Sequence, residues 1–213
     1  MDWNRRWAKK RLMPKAYGHK KWVENVEAIL GLLPKYWVDT VSLYALSTEN
    51  MKREESELKD LFDLFVEFTK KKNLFEKNQI KFTHIWKKKG LPERVTSSIQ
   101  ELEEFTKDFK SLHFLMWVNY GWRDEIVRAV KKVVESWEEI SEENLEKNLD
   151  TFWAKPLDLV IRTGGHQRIS NFLMWQCAYS ELYFPEVLWP DFDEKELKKA
   201  LEFFESQQRN FGK

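Results

Sequence analysis

The chain has 213 residues and sets 36 Lys and Arg against 35 Asp and Glu, a formal net charge of +1. That length can bury a sizeable core as a single α/β unit, while the near-neutral balance excludes a global field for nucleic acid or an anionic membrane, so any anion site must be built locally. One cysteine, Cys177, excludes a disulfide framework and fits a reducing cytoplasm, and no apolar run approaches the length of a membrane span.

In chain order, "MDWNRRWAKK" first crowds an acid, an amide and two arginines around a tryptophan. Residues 19–33 carry apolar side chains at 23, 26, 29, 30 and 33, a helical spacing. "DTVSLYALS" (39–47) predicts a strand, and "STEN" follows it. Residues 55–75 put Leu58, Leu61, Phe62, Phe65 and Phe68 on one helical face. "IKFTHIW" (80–86) reads as a strand, 92–109 as a helix, "LHFLMWVNY" (112–120) as a strand and 123–136 as a helix. "LDLVIRT" (157–163) is a further strand, 170–180 a helix, "ELYF" (181–184) a short strand and 193–208 a closing helix. Such alternation predicts an α/β fold with a mainly parallel sheet flanked by helices. Ligands bind outside the carboxyl ends of such strands. The polar clusters "STEN", "NYGWR" and "RTGGHQRIS" fall there.

"RTGGHQRISN" (162–171) carries the strongest chemical signal. Two glycines let the backbone turn, Arg162 and Arg168 supply guanidiniums, and Ser170 can cap a following helix. Two arginines before a helix N-terminus make an anion trap with forked geometry for phosphate oxygens. A plain turn with two solvated arginines gives the same spelling. Ser47, Glu49, Asn50 and Arg53 are hydrogen-bonding and proton-handling groups, or a capping loop. His19 is a possible anion donor or a surface residue. Glu181 is a possible metal ligand or a surface acid. Together, acids and cations at strand ends suggest a diphosphate and a divalent metal, Mg²⁺ by its preference for hard oxygen ligands. The helix over 55–75 is either core or the wall of an apolar tunnel.

"MD-NRRWA", "GHK", "LYALSTEN", "NYG-RDEI", "DLVIRTGGHQRISNF" and "ELYF…LWPDF" occur in this order over nearly the whole chain. In this the sequence resembles the cis-prenyltransferases of the undecaprenyl diphosphate synthase family. The resemblance implies one cis-prenyltransferase domain over 1–213. It implies an enzyme that condenses isopentenyl diphosphate with an allylic diphosphate, farnesyl diphosphate foremost, to give a cis-polyprenyl diphosphate of the kind that serves as a cell-wall lipid carrier. Asp2 matches the aspartate that handles Mg²⁺ and diphosphate. Trp3, Asn4, Arg5, Arg6 and Trp7, with Lys15 and His19, match the loop that grips the allylic diphosphate. Ser47, Thr48, Glu49, Met51 and Arg53 match substrate contacts, and Asn50 a residue that assists proton removal. Arg162, Arg168, Ile169 and Ser170 match the isopentenyl diphosphate site, and Glu181 a second metal-linked acid. A homodimer, a cytoplasmic location and at most peripheral membrane contact are also implied. The alternatives are a non-catalytic partner subunit of the same fold and an unrelated phosphate-binding module. The latter would need a Gly-rich loop ending in Lys-Ser/Thr, which the sequence lacks.

The chain departs from the family at Lys15 (usually Arg), His166 (usually Glu) and Met51 (often Trp). A larger departure is the count of 11 Trp and only 7 Gly, where ordinary usage would give about 15 Gly. Trp3, Trp22, Trp37, Trp86, Trp122, Trp137 and Trp153 stand where the family carries glycine or a helix end calls for one. That is the pattern of UGA codons that specify glycine but are read as tryptophan, so glycine is expected at these seven positions. If the tryptophans are genuine, Trp3 blocks the phosphate loop and the chain is inactive. The family also delivers its aspartate on a short strand before "MD". The sheet is therefore expected to lack its first strand, leaving a central slot open.

Overall fold

The computed structural model describes residues 4–86 and 90–208, without the side chains of Asn4, Arg5, Lys15, Ala16 and Trp86. Five strands are described: β1 (Thr40–Ser47), β2 (Ile80–Trp86), β3 (Leu112–Tyr120), β4 (Leu159–Ile161) and β5 (Glu181–Tyr183). The helices are α1 (Asn4–Lys10), α2 (Lys15–Leu32), α3 (Glu55–Thr69), α4 (Lys72–Asn78), α5 (Glu93–Thr106), α6 (Trp122–Glu135), α7 (Glu142–Asn148) and α8 (Glu194–Glu205).

All described strand pairs are parallel, as the alternation of strands and helices requires. The sheet comes in two sections. β3 lies between β1 and β2, and β4 pairs separately with β5. β3 is buried along almost its whole length, so it reads as a continuous apolar run. Its side chains alternate between faces. Phe114, Met116 and Val118 join the main core under α2, α3 and α5. Leu115 and Trp117 join a smaller cluster with Leu173 and Tyr120. Phe68, Phe75, Phe82 and Phe114 interlock edge-on, with ring centroids 5.6–6.2 Å apart. Burying each such ring stabilises the fold by roughly 1.5–3 kcal/mol.

β1 differs from β3. Its sequence is nearly as apolar, yet only Leu43 and Leu46 are buried. It turns one side to a cleft of about 3120 Å³ whose wall includes every residue of β1 and also Leu159–Arg162. Polar contacts link the two sections at both ends. Asp39 pairs with Lys155 ahead of the strands, and Glu49 accepts from Asn171 beyond them.

Several element expectations are corrected. The helix expected over 55–75 breaks between Thr69 and Lys72, which drops Phe75 onto β2 against Phe82. Residues 170–180 form turns rather than a helix. Ser170, Asn171 and Leu173 all take positive φ (48°, 66° and 36°), which a right-handed helix cannot contain. Two short helices lay outside the sequence pattern. The periodicity did not reach as short a segment as α1, and α7 starts from a Ser141 cap.

Two of the seven suspect tryptophans sit in backbone that favours glycine. Trp37 (φ 58°) ends the turn after α2 and Trp137 (φ 56°) follows α6. Their side chains are 94% and 95% exposed. Neither indole has packing to offset the left-handed conformation. Trp22, Trp122 and Trp153 have ordinary φ and ring neighbours. Trp22 packs on the main core, Trp122 on the smaller cluster, and Trp153 stacks on His113 at 5.4 Å. Trp3 lies outside the described residues, as does the side chain of Trp86.

Candidate active site

The carboxyl ends of β1, β3 and β4 meet at one mouth of the cleft. From β4, Arg162 donates through Nη1 to Ser170 Oγ at 2.7 Å and to the Arg168 carbonyl. This folds the 162–170 loop back on its own strand and holds Arg168 and Ser170 beside the arginine. Arg162, Arg168, Ile169 and Ser170 all line the cleft. The expected helix N-terminus behind Ser170 is absent, which leaves the two guanidiniums and the Ser170 hydroxyl as the polar groups this loop brings to the cleft.

From β1, Ser47 and Asn50 form a reciprocal cap. Ser47 Oγ accepts the Asn50 N–H, and Asn50 Oδ1 accepts the Ser47 N–H, each at 3.3 Å. The cap starts a short 3-10 turn over Thr48–Lys52. The local signal in "STEN" is therefore a cap, and the same cap holds Asn50 at the cleft wall beside Ser47 and Arg53. Arg53 is steadied by Glu57 at 2.8 Å. Burial alone would raise the Glu49 carboxyl. Hydrogen bonds from its own backbone, Ser47, Asn171 and Thr48 outweigh it and hold the group below the ordinary carboxylate range.

His19, buried on α2, and Arg6 on α1 complete the polar rim. Below the rim the wall turns apolar, with Trp22, Ile29 and Leu33 from α2, Phe62 and Phe65 from α3, and Leu43 and Leu46 from β1. The cleft wall thus combines basic groups at these strand ends with an apolar stretch from α2, α3 and β1, and carries acids such as Glu146 and Asp158 elsewhere.

The other candidates sit elsewhere. Trp7 is buried away from the cleft wall. Its indole N–H donates to Asp191 at 2.8 Å, its ring stacks on Tyr17 and Arg11 lies over it. Thr48, Glu49 and Met51 flank the mouth without lining it, with Met51 against the main core. Asp2 and Trp3 lie outside the described residues, as do the side chains of Asn4, Arg5 and Lys15. Glu181 is not brought to the arginines. It pairs with Leu159 at the amino end of β4, three residues short of Arg162, roughly 10 Å of strand away. Among the described residues no three His, Cys, Asp or Glu gather as a metal site.

Sequence reasoning missed the residues that join the strand-end loops. Asn171 stood inside a quoted motif, but its role depends on partners 48 and 122 positions away. Gly121 stood inside the quoted motif "NYGWR" without a role assigned to it. The space it keeps open was not legible.

Guanidiniums and apolar side chains thus share one cleft beside the carboxyl ends of parallel strands. The family model described as putative undecaprenyl diphosphate synthase matches residues 1–212. The chain is 44% identical to an isoprenyl transferase of Fusobacterium nucleatum and 44% identical to one of Aquifex pyrophilus, covering all of this chain and 93% of each relative. The fold superimposes on lavandulyl diphosphate synthase from Lavandula x intermedia, solved with dimethylallyl diphosphate, with TM-score 0.95 and 34% identity over all of this chain and 95% of that one. A probable undecaprenyl diphosphate synthase from Campylobacter jejuni gives TM-score 0.81 and 36% identity over 91% of this chain and 93% of that one. The chain belongs to the undecaprenyl diphosphate synthase family and is a cis-prenyltransferase.

Proposed function

We propose that this enzyme condenses isopentenyl diphosphate with an allylic diphosphate, farnesyl diphosphate as starter, and lengthens it into a cis-polyprenyl diphosphate. The observation that carries the reading is the Arg162–Arg168–Ser170 cluster at the mouth of the apolar cleft. Arg162 and Arg168 hold the isopentenyl diphosphate by its charge, and Ser170 adds a hydroxyl donor. Arg6 and His19, with Asn4, Arg5 and Lys15 by their match to the family motif, hold the allylic diphosphate. Cations around that leaving group stabilise the charge released when its C–O bond ionises. Fixing the isopentenyl double bond against the allylic carbon supplies the proximity. The final proton leaves through Asn50 and a water, or through the departed diphosphate. The apolar wall from Trp22 to Phe65 takes the growing chain.

Mg²⁺ fits a diphosphate substrate, and Asp2 is the carboxylate proposed to meet it. Glu181 stands at the amino end of β5, in register with Leu159 rather than with Arg162, and no metal-handling role is given to it. The reading includes a homodimer and a cytoplasmic location with peripheral membrane contact at most. No described helix is long and apolar enough to cross a membrane.

Radiolabelled isopentenyl diphosphate, offered with farnesyl or dimethylallyl diphosphate, tests the function. Label in long butanol-extractable products from the farnesyl starter supports it. Label in a single short adduct would favour a shorter product. That outcome has an observation behind it, because Trp22 lines the cleft one helical turn from His19. No incorporation from either starter would refute the function.

A further inference from the structure

Asn171 carries four contacts to residues remote in sequence. Its Nδ2 donates to Glu49 Oε1 at 2.8 Å. Its Oδ1 accepts the Arg123 N–H at 3.3 Å, and its carbonyl accepts the Trp122 N–H at 3.1 Å. Tyr44 Oη approaches the same carbonyl at 3.4 Å and donates to the Tyr120 carbonyl at 2.9 Å. Tyr44 lies within β1, Glu49 in the turn that follows it, and Trp122 and Arg123 open α6 after β3, while Asn171 belongs to the loop after β4.

Two further features fit this placement. Helix α6 begins at Gly121, which has no side chain to cap it. Asn171 satisfies two of its orphan first-turn N–H groups from outside. A Cβ at Gly121 would lie 2.4 Å from Asn171 Nδ2 and 3.0 Å from Thr48 Oγ1, so the glycine keeps the space the amide fills. Asn171 itself has φ 66°, a conformation asparagine tolerates better than most residues.

The geometry points to Asn171 as a positioning residue that latches the loop carrying Arg168 and Ser170 to the Glu49–Asn50 turn, and so sets the spacing between the isopentenyl diphosphate site and the proton-handling Asn50. The inference rests on the function proposed above and deepens it. Asn171 lies next to Ser170 in sequence and grips Glu49, the neighbour of Asn50. The latch therefore spans from the isopentenyl side to the proton-handling side. Only an amide serves both ends, because Nδ2 must donate to a carboxylate while Oδ1 accepts an N–H.

Asn171→Asp is the discriminating variant. It keeps an acceptor for Arg123 and tolerates the backbone, but it sets a carboxylate against Glu49. We expect KM for isopentenyl diphosphate to rise about tenfold, as losing one charge-assisted hydrogen bond would give, with thermal stability little changed. Adding Glu49→Gln to Asn171→Asp restores a donor–acceptor pair in the opposite sense, and should recover much of the loss relative to the two single variants. Wild-type kinetics in Asn171→Asp, or a double variant no better than the two singles combined, would overturn the latch. Amide hydrogen exchange reads the same latch without turnover. In Asn171→Asp the amides of Arg168 and Phe172 should exchange faster while those of Trp122 and Arg123 stay protected. Unchanged exchange at Arg168 and Phe172 would also overturn it. A wild-type chain that transfers no prenyl group counts against the proposed function alone, and the exchange result then decides the latch.

Discussion

Arg162 and Ser170 lie eight residues apart, and the guanidinium of one donates to the hydroxyl of the other at 2.7 Å. The same guanidinium also donates to the Arg168 carbonyl. One side chain thus shapes the loop that, in the proposed function, receives the isopentenyl diphosphate. Arg162→Lys keeps the charge but loses the fork. We expect it to lower kcat/KM for isopentenyl diphosphate by about 100-fold, roughly 2.7 kcal/mol. Steady-state kinetics with isopentenyl diphosphate varied and the allylic substrate saturating measures this. A loss under threefold would mean that the loop forms and binds without the fork.

Trp37 and Trp137 should each be better as glycine. Both hold φ near 57° with the side chain almost fully in water. A non-glycine residue in that region costs about 1–2 kcal/mol, with no packing here to offset it. Trp37→Gly and Trp137→Gly should each stabilise by about 1 kcal/mol, raising the melting temperature by about 2–4 °C. Trp37→Ala is the control, since alanine keeps the strain. Calorimetry of the three variants decides it, and equal melting temperatures for the Gly and Ala versions would remove the conformational argument for glycine at 37.

Gly121→Ala should disturb the strand-end loops without touching a substrate. The added methyl meets Asn171 at 2.4 Å, so the amide must move and its bonds to Glu49 and Arg123 weaken. We expect a loss of about 1–3 kcal/mol in stability together with a raised KM. Urea titration and kinetics on one preparation measure both, and an unaffected protein would show that the amide yields freely.

Glu125 lies buried where Tyr120, Gln176 and the Asp150 N–H all donate to it. Burial raises its carboxyl above the ordinary range, and those hydrogen bonds restrain the rise. Glu125→Ala leaves the Tyr120 hydroxyl and the Asp150 N–H without this acceptor, while Gln176 keeps Thr151, and should cost about 3 kcal/mol. Chemical denaturation tests this. A cost below 1 kcal/mol would mean that water replaces the carboxylate.

His84 should make the fold acid-sensitive. Burial pushes its imidazole down to about 3, against about 6.5 in the unfolded chain. Below that unfolded value the unfolded state takes up the proton first. The stability contributed by neutral His84 is therefore whole above pH about 6.5 and is lost as pH falls toward 3. His84→Phe, in a site already beside Phe65, should flatten the stability curve over that window. Denaturation midpoints at several pH values check it, and identical slopes for both proteins would contradict a buried neutral imidazole.

The sequence by itself determined the fold class and the alternating elements. Continuous apolar runs such as "LHFLMWVNY", buried on both faces, and period-3.6 runs such as residues 19–33 are local consequences of which faces each element buries. It also determined which strand ends carry guanidiniums, because strand direction and motif order are both written along the chain. Tertiary structure alone decided the rest, since it depends on distances through space. It divided the sheet into two sections around the cleft. It turned residues 170–180 away from a helix, because positive φ at Ser170, Asn171 and Leu173 serves contacts with distant loops. It left Glu181 at the amino end of its strand, away from Arg162. And it made Asn171 a junction, since no spacing along the chain records that Glu49, Trp122 and Arg123 converge on one amide.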